Sequence, residues 1–222
     1  MSDEKQWTAV DRYLTDQLVP SDTALDAALA SSAANGLPAI NVAPNQGKLL
    51  QLLARSVGAK RILEVGTLGG YSTIFLARAL PPGGKLITLE YDPKHADVAR
   101  ANVERAGLSH VVDIRLGKAI DTLPRIAAEG GAPFDFVFID ADKAGNADYF
   151  AWALKLARVG AMIIVDNVVR KGGVIDPAGD ANVQGARRVI EAMAKEPRVS
   201  ATAIQTVGSK GHDGFAIAVV VA

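Results

Sequence analysis

The sequence of 222 residues contains no cysteine, only three histidines and 5% aromatic residues. Without cysteine there is no disulfide, no thiolate-bound zinc, no iron–sulfur cluster and no cysteine nucleophile. Neither sign of charge is in excess, since 24 Lys and Arg residues stand against 24 Asp and Glu residues. A balanced charge supplies no basic surface for nucleic-acid phosphates, so we expect no nucleic-acid partner.

Long hydrophobic runs are also missing, and the longest uninterrupted apolar run is the final segment Phe215–Ala222. That run is far shorter than the roughly 20 residues of a membrane-spanning helix, and the polar opening residues do not resemble a signal peptide. We therefore expect no membrane partner and a cytoplasmic location. The chain does have an ordinary globular composition, with 49% hydrophobic and 22% charged residues. Its length is enough for one substantial core.

No repeat or low-complexity linker divides the chain, which predicts a single domain over residues 1–222. Residues 1–40 are predicted to be a helical appendage, and residues 41–222 the core. The first helix of the appendage carries apolar residues at three- and four-residue spacing and ends before Pro20. A second helix follows, with Ser21 and Asp22 as candidate caps. A third, amphipathic helix comes next in the chain and belongs to the core.

Short apolar runs alternate with helical segments after the third helix. The predicted strands are Arg61–Val65, Lys85–Leu89, Val111–Leu116, Phe134–Ile139, Ala161–Val165, Val199–Thr206 and Phe215–Val220. Helices are predicted at Tyr71–Leu80, Pro93–Ala106, Ala119–Ala128, Tyr149–Ala157 and Asn182–Lys195. Repeated strand–helix units predict a doubly wound α/β fold with a mostly parallel, seven-stranded sheet and an antiparallel C-terminal strand. Gly208–Gly214 is predicted to be a hairpin loop.

The first candidate site is the turn that follows the first predicted strand, Glu64-Val-Gly66-Thr67-Leu-Gly-Gly-Tyr-Ser72. Glycine in such a turn lets the backbone approach a ligand closely, and the amides of the following helix form a polar pocket. Glu90 ends the second strand, where carboxylates bind ribose hydroxyls in α/β sheets. A plain tight strand–helix connection is the alternative, and the presence of Glu90 favours a nucleoside-containing ligand. Glu64 lies in an apolar run without an evident partner, which a core does not accept without a reason.

The second candidate site consists of acidic residues at the ends of two further strands. Asp140 follows the fourth strand, and Asp166 and Asn167 end the fifth. The carboxyl ends of parallel strands are where open α/β sheets bind ligands, and the fourth and fifth strands are usually neighbours. Two carboxylates and an amide oxygen are a ligand set suited to Mg²⁺, Mn²⁺ or Ca²⁺. The alternative is that Asp140 and Asp142 are helix caps and that Asp166-Asn167 is a turn.

Lys143 follows Asp140 closely and is a candidate general base. A neighbouring divalent cation disfavours the ammonium form of a lysine, which prepares the side chain to accept a proton. The alternative is a solvated surface lysine.

Together these residues resemble the metal-dependent class I S-adenosylmethionine O-methyltransferases, the family of catechol and caffeoyl-CoA O-methyltransferases. The resemblance rests on the glycine turn, on Glu90, on Asp140-Ala-Asp-Lys143 and on Asp166-Asn167, and it extends from about Val42 to the end of the chain. It implies a Rossmann-like methyltransferase fold, S-adenosylmethionine as cofactor and a divalent cation, with Mg²⁺ first among the candidates.

The resemblance also assigns roles to individual residues. It implies that the metal ligands are Asp140, Asp166 and Asn167, and that Lys143 is the catalytic base, with Asp140 close to both metal and cofactor. It implies that the cofactor-binding positions are Val42, Glu64, Gly66, Thr67, Ser72, Glu90, Ala119 and Asp140. The implied reaction transfers a methyl group to one hydroxyl of a catechol-like or caffeoyl-type molecule, in a protein that forms homodimers as its relatives commonly do.

Two matters stay open at the level of the sequence. A nicotinamide-dependent oxidoreductase is the alternative enzyme class, because the fold alone does not determine the function. The insertion Val168–Val183 is predicted to be either a mobile lid or a plain surface loop. Its adjacent cations, Arg170 and Lys171, are candidates to receive an acidic or phosphorylated acceptor.

Overall fold

A computed structural model describes residues 3–20 and 22–222. Its helices are α1 (Asp3–Leu18), α2 (Thr23–Ala34), α3 (Pro44–Ser56), α4 (Tyr71–Ala77), α5 (Pro93–Arg105), α6 (Ala119–Ala128), α7 (Asn146–Leu156) and α8 (Ala181–Lys195). Its strands are β1 (Arg61–Val65), β2 (Lys85–Glu90), β3 (Val112–Leu116), β4 (Phe134–Ile139), β5 (Ala157–Asp166), β6 (Val199–Gly208) and β7 (Gly211–Val220).

The seven strands form one sheet in the order β3-β2-β1-β4-β5-β7-β6. Strands β1 to β5 are parallel, and β7 runs antiparallel to both β5 and β6. This is the predicted mostly parallel sheet with an antiparallel C-terminal strand. Among the described residues, no helix has the length and apolar character needed to cross a membrane.

Helices cover the sheet on both faces, which gives two separate apolar clusters. One cluster packs Leu63, Val137 and Ile163 of the sheet against α6, α7 and α8. The other packs Ile62 and Phe136 against α2, α3 and α4. Because successive residues of a strand point to opposite faces, strands buried on both faces are continuously hydrophobic. All six residues of β4 are buried, as that argument requires.

Polar contacts cap α2 and attach α1 to its neighbours. The Asp22 carboxylate caps α2 by accepting the amides of Ala24 at 3.0 Å and Leu25 at 3.1 Å. Ser21, the other predicted cap, lies outside the described residues. On α1, Asp11 accepts hydrogen bonds from the Asn45 side chain at 2.9 Å and from the Ser209 amide at 2.7 Å. These bonds attach α1 to the start of α3 and to the turn between β6 and β7.

The largest error of the sequence prediction lies at this last turn. The predicted loop Gly208–Gly214 is wrong, because the ladder between β6 and β7 continues as far as the pair Gly208 and Gly211. Only two residues then connect the strands, and Gly211 has φ of +90°, a value that glycine adopts without strain. A tight hairpin therefore replaces the loop. The boundary between α7 and β5 is also displaced, since Ala157 begins the strand and does not end the helix.

Candidate active site

The glycine turn after β1 passes directly beneath the end of β4. Gly66 has φ of +102°, and a Cβ atom built there would lie 2.2 Å from the carbonyl oxygen of Asp140. No side chain fits that space. The turn therefore brings the expected cofactor loop into contact with the first residue of the expected metal site, so the two sites form one pocket.

Gly66→Ala is expected to destabilise the protein by about 2–4 kcal/mol, because strained backbone and a steric clash act together. Gly107→Ala is the matched control, since Gly107 also has a positive φ, +72°, but has no atom within 4 Å of the added carbon. Urea unfolding of both variants measures the difference. Equal losses of stability in the two variants would contradict the predicted contact with Asp140.

Glu64 is fully buried in β1 and has three hydroxyl partners. Ser72 donates to one carboxylate oxygen at 2.6 Å, and Thr73 and Thr88 donate to the other at 2.5 Å and 2.7 Å. The expectation of an acid without a partner was therefore wrong: two donors lie in the next helix, and Thr88 lies opposite Glu64 in the β1–β2 register. Burial raises the pKa of Glu64 from 4.5 to about 7, against the opposing effect of these hydrogen bonds.

Glu64→Gln is expected to remove a pH dependence from the stability of the cofactor-free protein. The folded state binds a proton at Glu64 more tightly than the unfolded state does. The contribution of Glu64 to stability is therefore fully present below pH 4.5 and is lost as pH rises through about 7. A rise of this size corresponds to about 3 kcal/mol. Urea unfolding at pH 5 and pH 8 measures it, with exposed Asp97→Asn as the control. An unchanged pH slope in Glu64→Gln would disprove the assignment.

Glu90 ends β2 and is held rigidly at the pocket wall by backbone amides. One carboxylate oxygen accepts the amides of Thr67 at 3.2 Å and Leu68 at 2.7 Å. The other accepts those of Tyr91 and Asp92, both at 2.9 Å. The carboxylate therefore fixes the glycine turn against the end of β2. A ribose hydroxyl that donates to Glu90 would bond to carboxylate oxygens that already accept these four amide hydrogen bonds.

Lys143 and Asp140 form an ion pair at the end of β4. The lysine Nζ donates to Asp140 Oδ1 at 2.6 Å, and Lys143 is only 8% exposed. The surface-lysine alternative therefore does not hold. The local turn is held by Asp142, whose carboxylate accepts the amide of Gly145 at 3.0 Å and the hydroxyl of Tyr149 at 2.5 Å. Burial, followed by the bond to Asp142, raises the pKa of Tyr149 above its usual range.

Asp166 and Asn167 lie beside this ion pair because β4 and β5 are neighbours. Ile139 pairs with Val165 in the ladder, so the residues that follow them, Asp140 and Asp166, are level at the sheet edge. Burial and then the charge of Asp140 raise the pKa of Asp166 to about 7. The Asp166 carboxylate is therefore buried close to a second negative charge, an arrangement that disfavours its ionised form.

A residue that the sequence analysis missed completes the arrangement around Asp166. Gln46, in the first turn of α3, donates from Nε2 to Asp166 Oδ2 at 2.7 Å. The other oxygen of Asp166 accepts the amide of Asn167 at 2.8 Å. Nothing in the sequence around Gln46 indicates this contact, since the two residues are 120 positions apart.

One pocket of about 790 Å³ joins these elements. It is lined by most of the predicted site residues, namely Val42, Gly66, Thr67, Ser72, Glu90, Ala119, Asp140, Lys143 and Asn167. Glu64 and Asp166 lie behind the wall and act on the pocket through their neighbours. His95, for which we predicted no role, also lines the pocket, with Nδ1 3.7 Å from Glu90.

The donors at the ends of β4 and β5 fit a hard divalent cation. No group of three or more His, Cys, Asp or Glu residues suited to a metal is present in residues 3–20 and 22–222. The predicted set differs from such a group, because it has two carboxylates and one amide oxygen. Oxygen donors of this kind suit Mg²⁺, Mn²⁺ or Ca²⁺. The raised pKa of Asp166 fits the same interpretation, since a cation would relieve the repulsion.

The fold is that of the Rossmann-like methyltransferases. The chain belongs to the O-methyltransferase family, whose family model, described as O-methyltransferase, matches residues 20–217. A catechol O-methyltransferase of Niastella koreensis is 56% identical to it over 213 residues, which make up 96% of each chain.

Solved structures show the same relationship. The O-methyltransferase of Bacillus cereus in complex with SAH is 59% identical, with a TM-score of 0.96, over 97% of this chain and 99% of that one. TomG of Streptomyces achromogenes, an O-methyltransferase involved in tomaymycin synthesis, was solved in complex with SAM. It is 49% identical, with a TM-score of 0.97, over 100% of both chains.

These relatives confirm the class that the sequence predicted. The protein is an S-adenosylmethionine-dependent O-methyltransferase of the catechol and caffeoyl-CoA type. Nothing in the comparisons supports the nicotinamide-dependent oxidoreductase that the fold alone left open.

Proposed function

We propose that the protein transfers a methyl group from S-adenosylmethionine to one hydroxyl of a catechol, with the assistance of a divalent cation. The observation that carries this proposal is that Asp140, Lys143 and Asn167 line the pocket, with the buried Asp166 next to Asn167 and level with Asp140. The glycine turn lies along the same pocket. Relatives that are named catechol O-methyltransferases support the choice of acceptor.

The cofactor is proposed to lie against the carboxyl ends of β1 and β2. Gly66 and Thr67 would let the cofactor approach the backbone of the turn closely, and Glu90 would accept a hydrogen bond from a ribose hydroxyl. Val42 and Ala119 would contribute packing surface, and Ser72 would link the pocket wall to the buried Glu64 carboxylate.

The cation is proposed to be held by Asp140, Asp166 and Asn167, with Mg²⁺ as the first candidate and Mn²⁺ or Ca²⁺ as alternatives. When bound, a divalent cation would stabilise the phenolate form of the acceptor and disfavour the ammonium form of Lys143. Gln46 and the amide of Asn167 fix the two oxygens of Asp166 before any ligand arrives.

Lys143 is proposed to be the general base. Its Nζ would take the proton of the acceptor hydroxyl, whose oxygen then attacks the methyl carbon while the carbon–sulfur bond breaks. Because charge is neutralised along this path, alignment of the two reactants contributes more than covalent catalysis. The ion pair with Asp140 would hold the Lys143 side chain where the acceptor hydroxyl gives up its proton.

Product analysis tests the proposed function. The protein is incubated with a catechol, Mg²⁺ and S-adenosylmethionine labelled at the methyl group, and mass spectrometry follows the label. The expected result is a labelled mono-methyl ether formed in equal amount to S-adenosylhomocysteine. Cofactor binding without transfer to any catechol would overturn the proposed acceptor class.

We also propose a cytoplasmic, single-domain protein that acts on small molecules and pairs with a second copy. An apolar stripe on α1 supports pairing, because Val10, Tyr13, Leu14 and Leu18 are each at least 40% exposed. These side chains follow the helical spacing that the sequence predicted, and in the single chain they are not covered.

A further inference from the structure

Arg170 lies in the loop after β5 and has an unusual backbone conformation. Its φ is +55°, and the next residue, Lys171, also has a φ of +55°. Residues other than glycine rarely adopt this region, because the Cβ atom is then crowded by the backbone. The conformation persists because Asp213 Oδ1 accepts the amides of Val169 at 3.1 Å and Arg170 at 2.9 Å. The fold thus holds this turn in a strained form.

Arg170 lines the pocket, and its guanidinium makes no hydrogen bond to another described residue. Asp213 Oδ2 is its nearest acidic neighbour, at 3.6 Å from Nη1, which is beyond hydrogen-bond distance. Arg158 is a useful contrast, since it donates to Asp135 at 2.6 Å and to two backbone carbonyls. Arg158 is held by hydrogen bonds, whereas the Arg170 guanidinium has only a long ion pair with Asp213 among the described residues.

The strand order places Arg170 in the half of the pocket proposed for the acceptor. Glu90 and Ala119 follow β2 and β3, on one side of β1. Arg170 follows β5, on the other side, three residues after Asn167. Arg170 therefore lies on the same side of β1 as the candidate cation site at the ends of β4 and β5, away from the ribose end of the cofactor site.

We propose that Arg170 binds a carboxylate carried by the acceptor, so that the preferred acceptors are catechols with an acidic substituent. This inference rests on the proposed catechol methylation. A guanidinium presents several N–H donors in a fixed plane, which match the two oxygens of a carboxylate. Lys171 is exposed and does not line the pocket, so the second cation of the pair takes no part.

The test compares two pairs of acceptors in which a carboxylate is replaced by its uncharged methyl ester. These are 3,4-dihydroxybenzoate with its methyl ester, and caffeate with its methyl ester. We expect the parent protein to prefer the acids in kcat/KM. Arg170→Gln should lower the acid-to-ester preference about tenfold, chiefly through the KM of the acid, because a charge-assisted bond is lost. Lys171→Gln, the matched control, should keep the parent preference.

The outcomes separate this inference from the function on which it rests. If neither acids nor esters are methylated, the proposed function fails. If both are methylated and Arg170→Gln leaves the acid-to-ester ratio unchanged, only the carboxylate site is disproved. Caffeoyl-CoA is assayed as a fifth acceptor. An Arg170→Gln effect confined to it would also overturn the carboxylate site, because the group recognised would then be a phosphate of the thioester.

Discussion

Lys143→Met is expected to lower kcat for catechol methylation by at least about 100-fold, the usual contribution of a general base. The Lys143 side chain is buried and has one acidic partner, Asp140, at 2.6 Å. Methionine has a similar length but accepts no proton. Binding of S-adenosylmethionine should change little, since no expected cofactor contact is lost. Steady-state kinetics and calorimetric titration of the cofactor measure the two effects.

Lys143→Arg distinguishes proton transfer from simple charge. Arginine keeps a cation beside Asp140, but its guanidinium does not give up its proton in proteins. We therefore expect Lys143→Arg to be nearly as slow as Lys143→Met, whereas the exposed Lys195→Met should have the kcat of the parent. A rate close to that of the parent in Lys143→Arg would show that the lysine supplies charge and is not the base.

Asp166→Asn is expected to have opposite effects on activity and on stability. It should weaken Mn²⁺ binding and slow cation-dependent turnover by at least about 100-fold. The effect should exceed that of changing a residue that only supports a metal ligand, which costs about 10- to 100-fold. The metal-free variant should nevertheless be more stable than the parent above pH 7. Burial and the charge of Asp140 raise the pKa of Asp166 to about 7, so its ionised form destabilises the folded state.

The sign of this pH dependence can be measured directly. The stability that Asp166 contributes is present below pH 3.8 and is lost as pH rises through about 7, so the advantage of Asp166→Asn should shrink from pH 8 to pH 5. Urea unfolding in chelator, with Mn²⁺ titration in parallel, measures both effects. A metal-free variant less stable than the parent at pH 8 would contradict the predicted electrostatics.

Asp135→Asn is a control with the opposite pH dependence. Although burial raises it, the pKa of Asp135 is lowered overall by the bond from Arg158 and by the amides of Lys60 and Arg61. Its contribution to stability is present above pH 3.8 and is lost as pH falls, so this variant should be destabilised at pH 8. Because Asp135 lies at the other end of β4, Mn²⁺ binding should not change.

The sequence predicted the parts of the site that depend on strand order. Asp140 and Asp166 could be placed at strand ends by the hydrophobic runs before them. Their proximity followed from the usual adjacency of the fourth and fifth strands, and the pairing of Ile139 with Val165 confirms it. For the same reason the sheet itself was predictable.

Contacts that depend on tertiary packing could not be predicted in the same way. Two of the partners of Glu64 lie eight and nine residues further along the chain, but the third, Thr88, depends on the register between β1 and β2. Gln46 reaches Asp166 only because α3 packs beside the end of β5. No local pattern encodes these distances.

The strained turn at Arg170 could not be predicted from the sequence either. The sequence offered two adjacent cations, Arg170 and Lys171, without a way to choose between them. The choice depends on Asp213, which is 43 residues from Arg170 and binds its amide. Only the folded chain shows that one cation lines the pocket and the other does not.

Cation dependence is the most direct test of catechol methylation at the ends of β4 and β5. The purified protein is stripped with chelator, transferred to metal-free buffer and assayed for catechol methyl ether while Mg²⁺ is added back. We expect no ether in chelator and a rate that saturates with Mg²⁺, with S-adenosylmethionine bound in both states. Full turnover in chelator would contradict a cation held by Asp140, Asp166 and Asn167.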